Sequence, residues 1–105
     1  MKILFDQGTP DPLRKFLPGH LVHTAMENGW SILENGDLLR IAEDDGYDIL
    51  ITTDQNLKYQ QNLKGRKIGI VVLLTTSWPK IQQKLANVVA TINQATPGCF
   101  IEIKV

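Results

Sequence analysis

Three aspartates carry the clearest chemistry in this sequence. Asp6 follows the apolar run Ile3-Leu4-Phe5, Asp54 follows Ile49-Leu50-Ile51-Thr52-Thr53, and Asp37 opens an amphipathic stretch containing Leu38, Leu39, Ile41 and Ala42. If both runs are parallel strands, Asp6 and Asp54 stand beyond their carboxyl ends, where open α/β sheets bind ligands. Asp37, at the start of the helix leading into the second run, can point back toward the same end. Three carboxylates within about 5 Å repel by about 3 kcal/mol per pair at an effective dielectric of about 20, so such a cluster calls for a cation. An oxygen-only donor set suits Mg²⁺ or Mn²⁺, which keep several waters and accept substrate phosphate as a further ligand. Each aspartate also has a structural use. Asp37 after Asn35-Gly36 is a good helix N-cap, Asp54 could cap the next short helix, and Asp6 in Asp-Gln-Gly-Thr-Pro could serve a turn. Their shared position at one end of a sheet is what favours a site.

The elements that must position these acids alternate along the chain. Short apolar runs at residues 2–5, 20–23, 48–52, 68–74 and 99–105 read as strands, separated by helical patterns, which is the signature of a parallel sheet with crossover helices. The fourth run, Ile-Gly-Ile-Val-Val-Leu-Leu, is apolar on both alternating faces and belongs inside the sheet. The fifth alternates, with Cys99, Ile101, Ile103 and Val105 on one face and Phe100, Glu102 and Lys104 on the other, as expected of a half-exposed edge. A helix is expected over residues 79–93, where Ile81, Leu85, Val88, Val89 and Ile92 recur at helical spacing between the hydroxyls of Thr76 and Ser77 and the Pro97-Gly98 stop. A second covers 37–45 and stops at Gly46, and shorter ones fit 12–17 and 57–63. Residues 24–36 read as a loop around Trp30.

With 105 residues, the chain is expected to form a single domain over 1–105 with one core. Its single cysteine, Cys99, rules out an internal disulfide framework and fits a reducing compartment. No apolar run approaches the roughly 20 residues needed to span a bilayer, and the N-terminus lacks the pattern of a secretory signal. A cytoplasmic protein without membrane contact is the expectation. Eleven Lys+Arg balance eleven Asp+Glu, yet the halves disagree. Residues 1–54 carry four basic and ten acidic side chains and residues 55–105 seven basic and one acidic, standing at −6 and +6. This asymmetry suggests an acidic centre facing a basic rim, against the alternative of chance segregation on a solvated surface.

Asp6-Gln-Gly-Thr-Pro10 after the first strand, His20 at the second, Gly36-Asp37-Leu38-Leu39 with Ala42 and Gly46, and Ile49-Leu-Ile-Thr-Thr-Asp54-Gln-Asn-Leu57 resemble a small PIN-like family often described as toxin components of bacterial toxin–antitoxin systems. The resemblance covers roughly residues 2–74. It implies a PIN-like three-layer α/β/α fold with a mostly parallel sheet of about five strands. It further implies Mg²⁺- or Mn²⁺-dependent cleavage of single-stranded RNA, with Asp6, Asp37 and Asp54 as catalytic and metal-holding acids and a small antitoxin protein as partner. Full-length PIN nucleases carry a fourth acid on an early helix, for which Glu27 and Glu34 are the candidates here, and Gly8 stands where the small family commonly has Asn.

Lys58, Lys64, Arg66 and Lys67 could guide RNA phosphates toward the acids, or form a solvated turn. His20 and His23, three apart on one strand, face opposite sides and do not suit a shared metal. Trp30 and Trp78 read as packing residues, and Tyr59 beside Lys58 as the better partner for a nucleobase. Two other readings compete. A catalytically degenerate PIN-like scaffold would bind a partner protein without cleaving RNA. A receiver-like domain would accept a phosphoryl group on Asp54, with Thr75 or Thr76 as switch hydroxyl and Lys104 as basic partner. Self-association into a homo-oligomer is left open by every one of these readings.

Overall fold

A computed structural model of the chain describes residues 1–60, 63 and 65–105. Five strands, β1 (Lys2–Phe5), β2 (Leu21–Thr24), β3 (Ile49–Thr52), β4 (Gly69–Leu73) and β5 (Phe100–Ile103), form one sheet in the order β2-β1-β3-β4-β5. Every pairing is parallel. Between the strands run a 3₁₀ helix (Asp11–Phe16) and the helices α1 (Asn35–Asp44), α2 (Leu57–Gln60), α3 (Trp78–Gln83) and α4 (Leu85–Gln94).

The alternation of side chains along each strand builds two cores, one per face. Ile3, Phe5, Ile49, Ile51, Val71 and Leu73 face the 3₁₀ helix, α3 and α4, meeting Leu13, Ile81, Val88 and Ile92. Leu4, Leu50, Ile70 and Val72 face α1 and α2, meeting Leu38, Leu39, Ala42 and Leu57. These layers are the expected three-layer α/β/α arrangement. All five residues of β4 are buried, as its unbroken apolar run requires. β5 lies at the edge, with Cys99, Ile101, Ile103 and Val105 joining one core and Phe100 partly exposed on the other face.

Two helices depart from their expected form. The stretch expected as one helix over 79–93 is divided at Lys84, whose N–H turns back to the Ile81 carbonyl at 3.0 Å. Nothing in the chemistry of Lys84 marks the break. Ile81 and Val88, both fully buried, reach the same core from the two short helices on either side of it. Helix α1 begins at Asn35, two residues earlier than expected, with Glu34 at the N-cap position and no side-chain cap. Asp37 therefore lies inside the first turn, where a carboxylate suits the positive end of the helix dipole. The helix stops where expected, because Gly46 adopts a positive φ of 82° just beyond it.

Because β1, β2 and β3 come from the first half of the chain and β4 and β5 from the second, the charge asymmetry becomes a lateral one. The acidic half lies on the β2-β1-β3 side of the sheet and the basic half on the β4-β5 side. Among the described residues, no helix is long and apolar enough to cross a membrane.

Candidate functional site

After β1 the chain turns to β2 on one side, and after β3 it proceeds to β4 on the other. The strand order therefore reverses between β1 and β3, and the crevice beyond their carboxyl ends is where such sheets bind ligands. Asp6 and Asp54 flank it. The Asp6 N–H still donates to the Ile51 carbonyl at 3.1 Å, extending the β1–β3 ladder to the first residue of the loop.

Asp6 is held on both oxygens. Its Oδ1 accepts from the N–H groups of Gly8 and Thr9, each at 3.1 Å. Thr9 Oγ1, at 2.8 Å from both Asp6 Oδ1 and the Ile51 carbonyl, has one hydrogen to offer the two. Asp6 Oδ2 accepts from the hydroxyl of Thr52. That hydroxyl also accepts the Asp54 N–H at 3.1 Å, so fully buried Thr52 links the two aspartates. Asp54 is likewise held on both oxygens. Its Oδ1 accepts the Asn56 N–H at 2.9 Å, forming the turn into α2, and its Oδ2 accepts from the side-chain amide of Asn35.

Position 8 follows from this packing. A Cβ on Gly8 would stand 2.3 Å from Thr53 Oγ1, so the loops after β1 and β3 approach too closely for any side chain there unless Thr53 turns away. Sequence reasoning marks Gly8 only as a departure from a family pattern, and names Thr52 and Asn35 only as neighbours of the acids, without a role in holding them. A signal for Thr52 exists, since a threonine closing a buried apolar strand needs a polar partner.

Asp37 is placed differently. Its carboxylate pairs with Arg40 one turn along α1 and is 55% exposed. No group of three or more His, Cys, Asp or Glu side chains able to hold a metal occurs among the described residues. The expected cluster thus reduces here to two coupled carboxylates, with Asp37 two residues beyond Asn35. Of the candidates for a fourth acid, Glu34 is exposed and caps nothing with its side chain. Glu27 is bound by the Arg14 fork, at 2.8 and 3.1 Å, and by the Thr24 N–H at 2.8 Å. These bonds, from Arg14 first and from the backbone second, hold its carboxyl well below the usual range, at about 2. The same pairing raises Arg14.

Two depressions open at this end of the sheet. The larger, about 340 Å³, is lined by Asp6, Gln7, Asp11, Arg14 and Glu27 among others. The smaller, about 100 Å³, lies between Asp6, Trp30 and Asn35. Asp6 and Gln7 line both.

The four expected phosphate contacts separate. Lys58, at the start of α2, lies on the side of the acids but binds Glu102 at 3.1 and 3.3 Å, which raises its pKa, and its ammonium stands 5.2 Å from the Tyr59 ring centre. Lys64 lies outside the described residues. Arg66 and Lys67 immediately precede the strand β4, and Arg66 pairs with Glu43 near the end of α1. In a parallel sheet that is the amino end, roughly 15 Å from the acids at about 3.3 Å per strand residue. The expectation that Arg66 and Lys67 guide phosphates to the acids is corrected accordingly, because the crossover through α2 carries them to the opposite end. Among the described lysines of the basic half, Lys58, and Lys80 and Lys104 after β4 and β5, lie toward the carboxyl end.

The remaining aromatic and imidazole groups have partners within the fold. His20 bonds the Met1 ammonium and Asn93, whereas His23 bonds the Tyr47 hydroxyl at 2.7 Å on the other face. Trp30 packs edge-on against Tyr47, and Trp78 lies against Phe16. No protein-family model, curated protein or solved structure matches the chain.

Proposed function

We propose that this protein is a divalent-metal-dependent hydrolase of phosphodiester bonds in single-stranded RNA, acting as the toxin component of a toxin–antitoxin pair. One observation carries the hydrolase reading: Asp6 and Asp54 flank the switch point of a parallel sheet and are coupled through Thr52. The choice of RNA, and of a small antitoxin protein as partner, rests on the resemblance of residues 2–74 to the PIN-like family.

The donor set fits Mg²⁺ or Mn²⁺. Each Oδ2 receives one protein hydrogen bond, from Thr52 on Asp6 and from Asn35 on Asp54, which leaves it a lone pair for a hard cation. Mg²⁺ is commonly held by one or two carboxylates, with water and substrate phosphate completing its shell. When bound, the ion supplies Lewis-acid activation of water and neutralises charge on the phosphate. The chain's own residues do the positioning. Thr52 and the Gly8 and Thr9 N–H groups fix Asp6, while Asn35 and the Asn56 N–H fix Asp54. Asp37 and Lys58 belong to the same end of the sheet, each held in an ion pair, with Arg40 and with Glu102.

The test is cleavage of a single-stranded RNA by the purified chain with Mn²⁺, with Mg²⁺ and with chelator. Metal-dependent cleavage that Asp6→Asn and Asp54→Asn each abolish is the expected result. Metal binding without cleavage would instead favour a degenerate scaffold that acts through a partner protein. Growth arrest on expression, relieved by a small DNA-binding protein encoded immediately upstream, tests the toxin role.

A second reading draws on the strand order, which receiver domains share, and on the position of Asp54 after β3. Thr75 and Lys104 follow β4 and β5 as that reading requires, although the Thr75 hydroxyl accepts the Ser77 N–H at 3.1 Å. Stable phosphorylation of Asp54 by a small phosphodonor, with no RNA cleavage, would select it.

A further inference from the structure

The two edges of the sheet are finished differently. Along a strand, backbone groups point alternately to either side. In β2 the Leu21 N–H reaches the Met1 carbonyl and the Ala25 N–H the Phe5 carbonyl, so His20, Val22 and Thr24 turn their backbone outward. Half of those six outward groups are used locally, at the two ends of the strand. The His20 N–H donates to Leu17, the Thr24 carbonyl accepts from Asn28, and the Thr24 N–H donates to Glu27 Oε1. Blunting of this kind protects an edge from pairing.

Among the described residues, the β5 edge shows no such protection. The carbonyls of Cys99 and Ile103 accept from Ile70 and Leu74 of the β4 side, at 2.8 and 3.0 Å. Phe100, Glu102 and Lys104 therefore direct their backbone away from β4, the one strand that β5 pairs with. Among the described residues no backbone bond closes this side. Two aromatic side chains stand near it, Phe100 at 38% and Tyr59 at 78% exposure.

We infer that this edge pairs with the same edge of a second copy, antiparallel, to form one continuous sheet across a two-fold axis at Ile103. The side chains select that register. In an antiparallel pair, residues whose backbone points outward exchange both hydrogen bonds, so Glu102 and Lys104 must face residues of this same outward set. Placing Glu102 opposite Glu102, or Lys104 opposite Lys104, sets like charges face to face, which is unfavourable. Placing Glu102 opposite Lys104 of the second copy makes two opposite-charge pairs on one face. On the other face it brings Ile103 against Ile103 and Ile101 against Val105. Ile101 and Val105 are only partly buried at this edge of the core, so the pairing extends an apolar layer that already exists. Lys58 remains on Glu102 at the rim.

The test is a pair of charge variants studied by sedimentation. The wild-type chain is expected to pass from monomer to dimer over roughly a hundredfold range of concentration, by mass action. Glu102→Lys and Lys104→Glu should each weaken self-association about tenfold or more, because two attractive pairs become two repulsive ones. Mixed together, the two variants should form a heterodimer, since every facing pair is then opposite in charge, a rescue that misfolding cannot produce. Circular dichroism on each variant verifies its fold. A wild-type chain that stays monomeric, a dimer that both variants preserve, or a folded mixture that does not associate would each overturn the inference.

Discussion

Replacing Thr52 with valine removes one hydroxyl from between the two aspartates and leaves volume and branching almost unchanged. The side chain is fully buried, so water cannot replace what is lost. Asp6 Oδ2 loses a hydrogen bond to a charged acceptor, a class that contributes about 1.5–3 kcal/mol, and the Asp54 N–H loses its acceptor at a cost of about 1 kcal/mol. Together these predict a loss of about 2–4 kcal/mol, or about 10–20 °C in melting temperature for a domain of this size. Thr52→Ser keeps the hydroxyl and gives up one methyl, costing about 1 kcal/mol. Urea unfolding followed by Trp30 and Trp78 fluorescence measures both variants, read at constant m-value. If Thr52→Val lies within about 0.5 kcal/mol of wild type, or if Thr52→Ser is the worse of the two, the hydroxyl does not couple the aspartates and the reasoning fails.

Mn²⁺ is expected to raise the melting temperature of the wild-type chain, because an ion bound only by the folded state stabilises it by mass action; an unchanged melting curve for wild type, or an equal rise in Asp54→Asn, would remove Asp54 from the site. Glu27 has its pKa lowered from 4.5 to about 2, so its bond to Arg14 contributes stability that is fully present above about pH 4.5 and is lost as pH falls toward 2. The melting-temperature gap between wild type and Glu27→Gln should accordingly close over that window in an acid titration, and a gap independent of pH would contradict it. Gly69→Ala would place a Cβ 2.5 Å from the Thr96 carbonyl and 2.7 Å from Ile49 Cδ1, predicting a loss of about 1–3 kcal/mol from overpacking, whereas Gly8→Ala meets only a rotatable hydroxyl and should cost less by the same urea assay. Lys58→Glu should weaken RNA binding and make its salt dependence shallower by about one unit, while Lys67→Glu, at the amino end of the sheet, should leave both unchanged.

Periodicity is a local property, and what depends on it is legible in the amino-acid sequence alone. The bounds of β1 agree to the residue and those of the other strands closely, because buried apolar side chains must alternate on a strand and recur at helical spacing on a helix. The same rule places Cys99, Ile101 and Ile103 together on one face, separates His20 from His23, and sets Asp6 and Asp54 beyond strand ends. Gly46 announces the end of α1 through its own backbone freedom. None of this says which strand lies beside which. Thr52 reaches Asp6 across 46 residues of sequence, and Lys58 reaches Glu102 across 44. Those contacts exist because β1 pairs with β3 and because α2 crosses toward β5, and a pattern read along the chain does not contain the strand order. Tertiary structure also decides the competition at each polar side chain. Asn35 bonds Asp54 rather than capping α1, Asp37 bonds Arg40, and Glu27 bonds Arg14, each by the nearest partner that packing supplies. It decides, finally, that Arg66 and Lys67 stand far from the acids, since the direction of a crossover and not the charge of its residues determines the end of the sheet they reach.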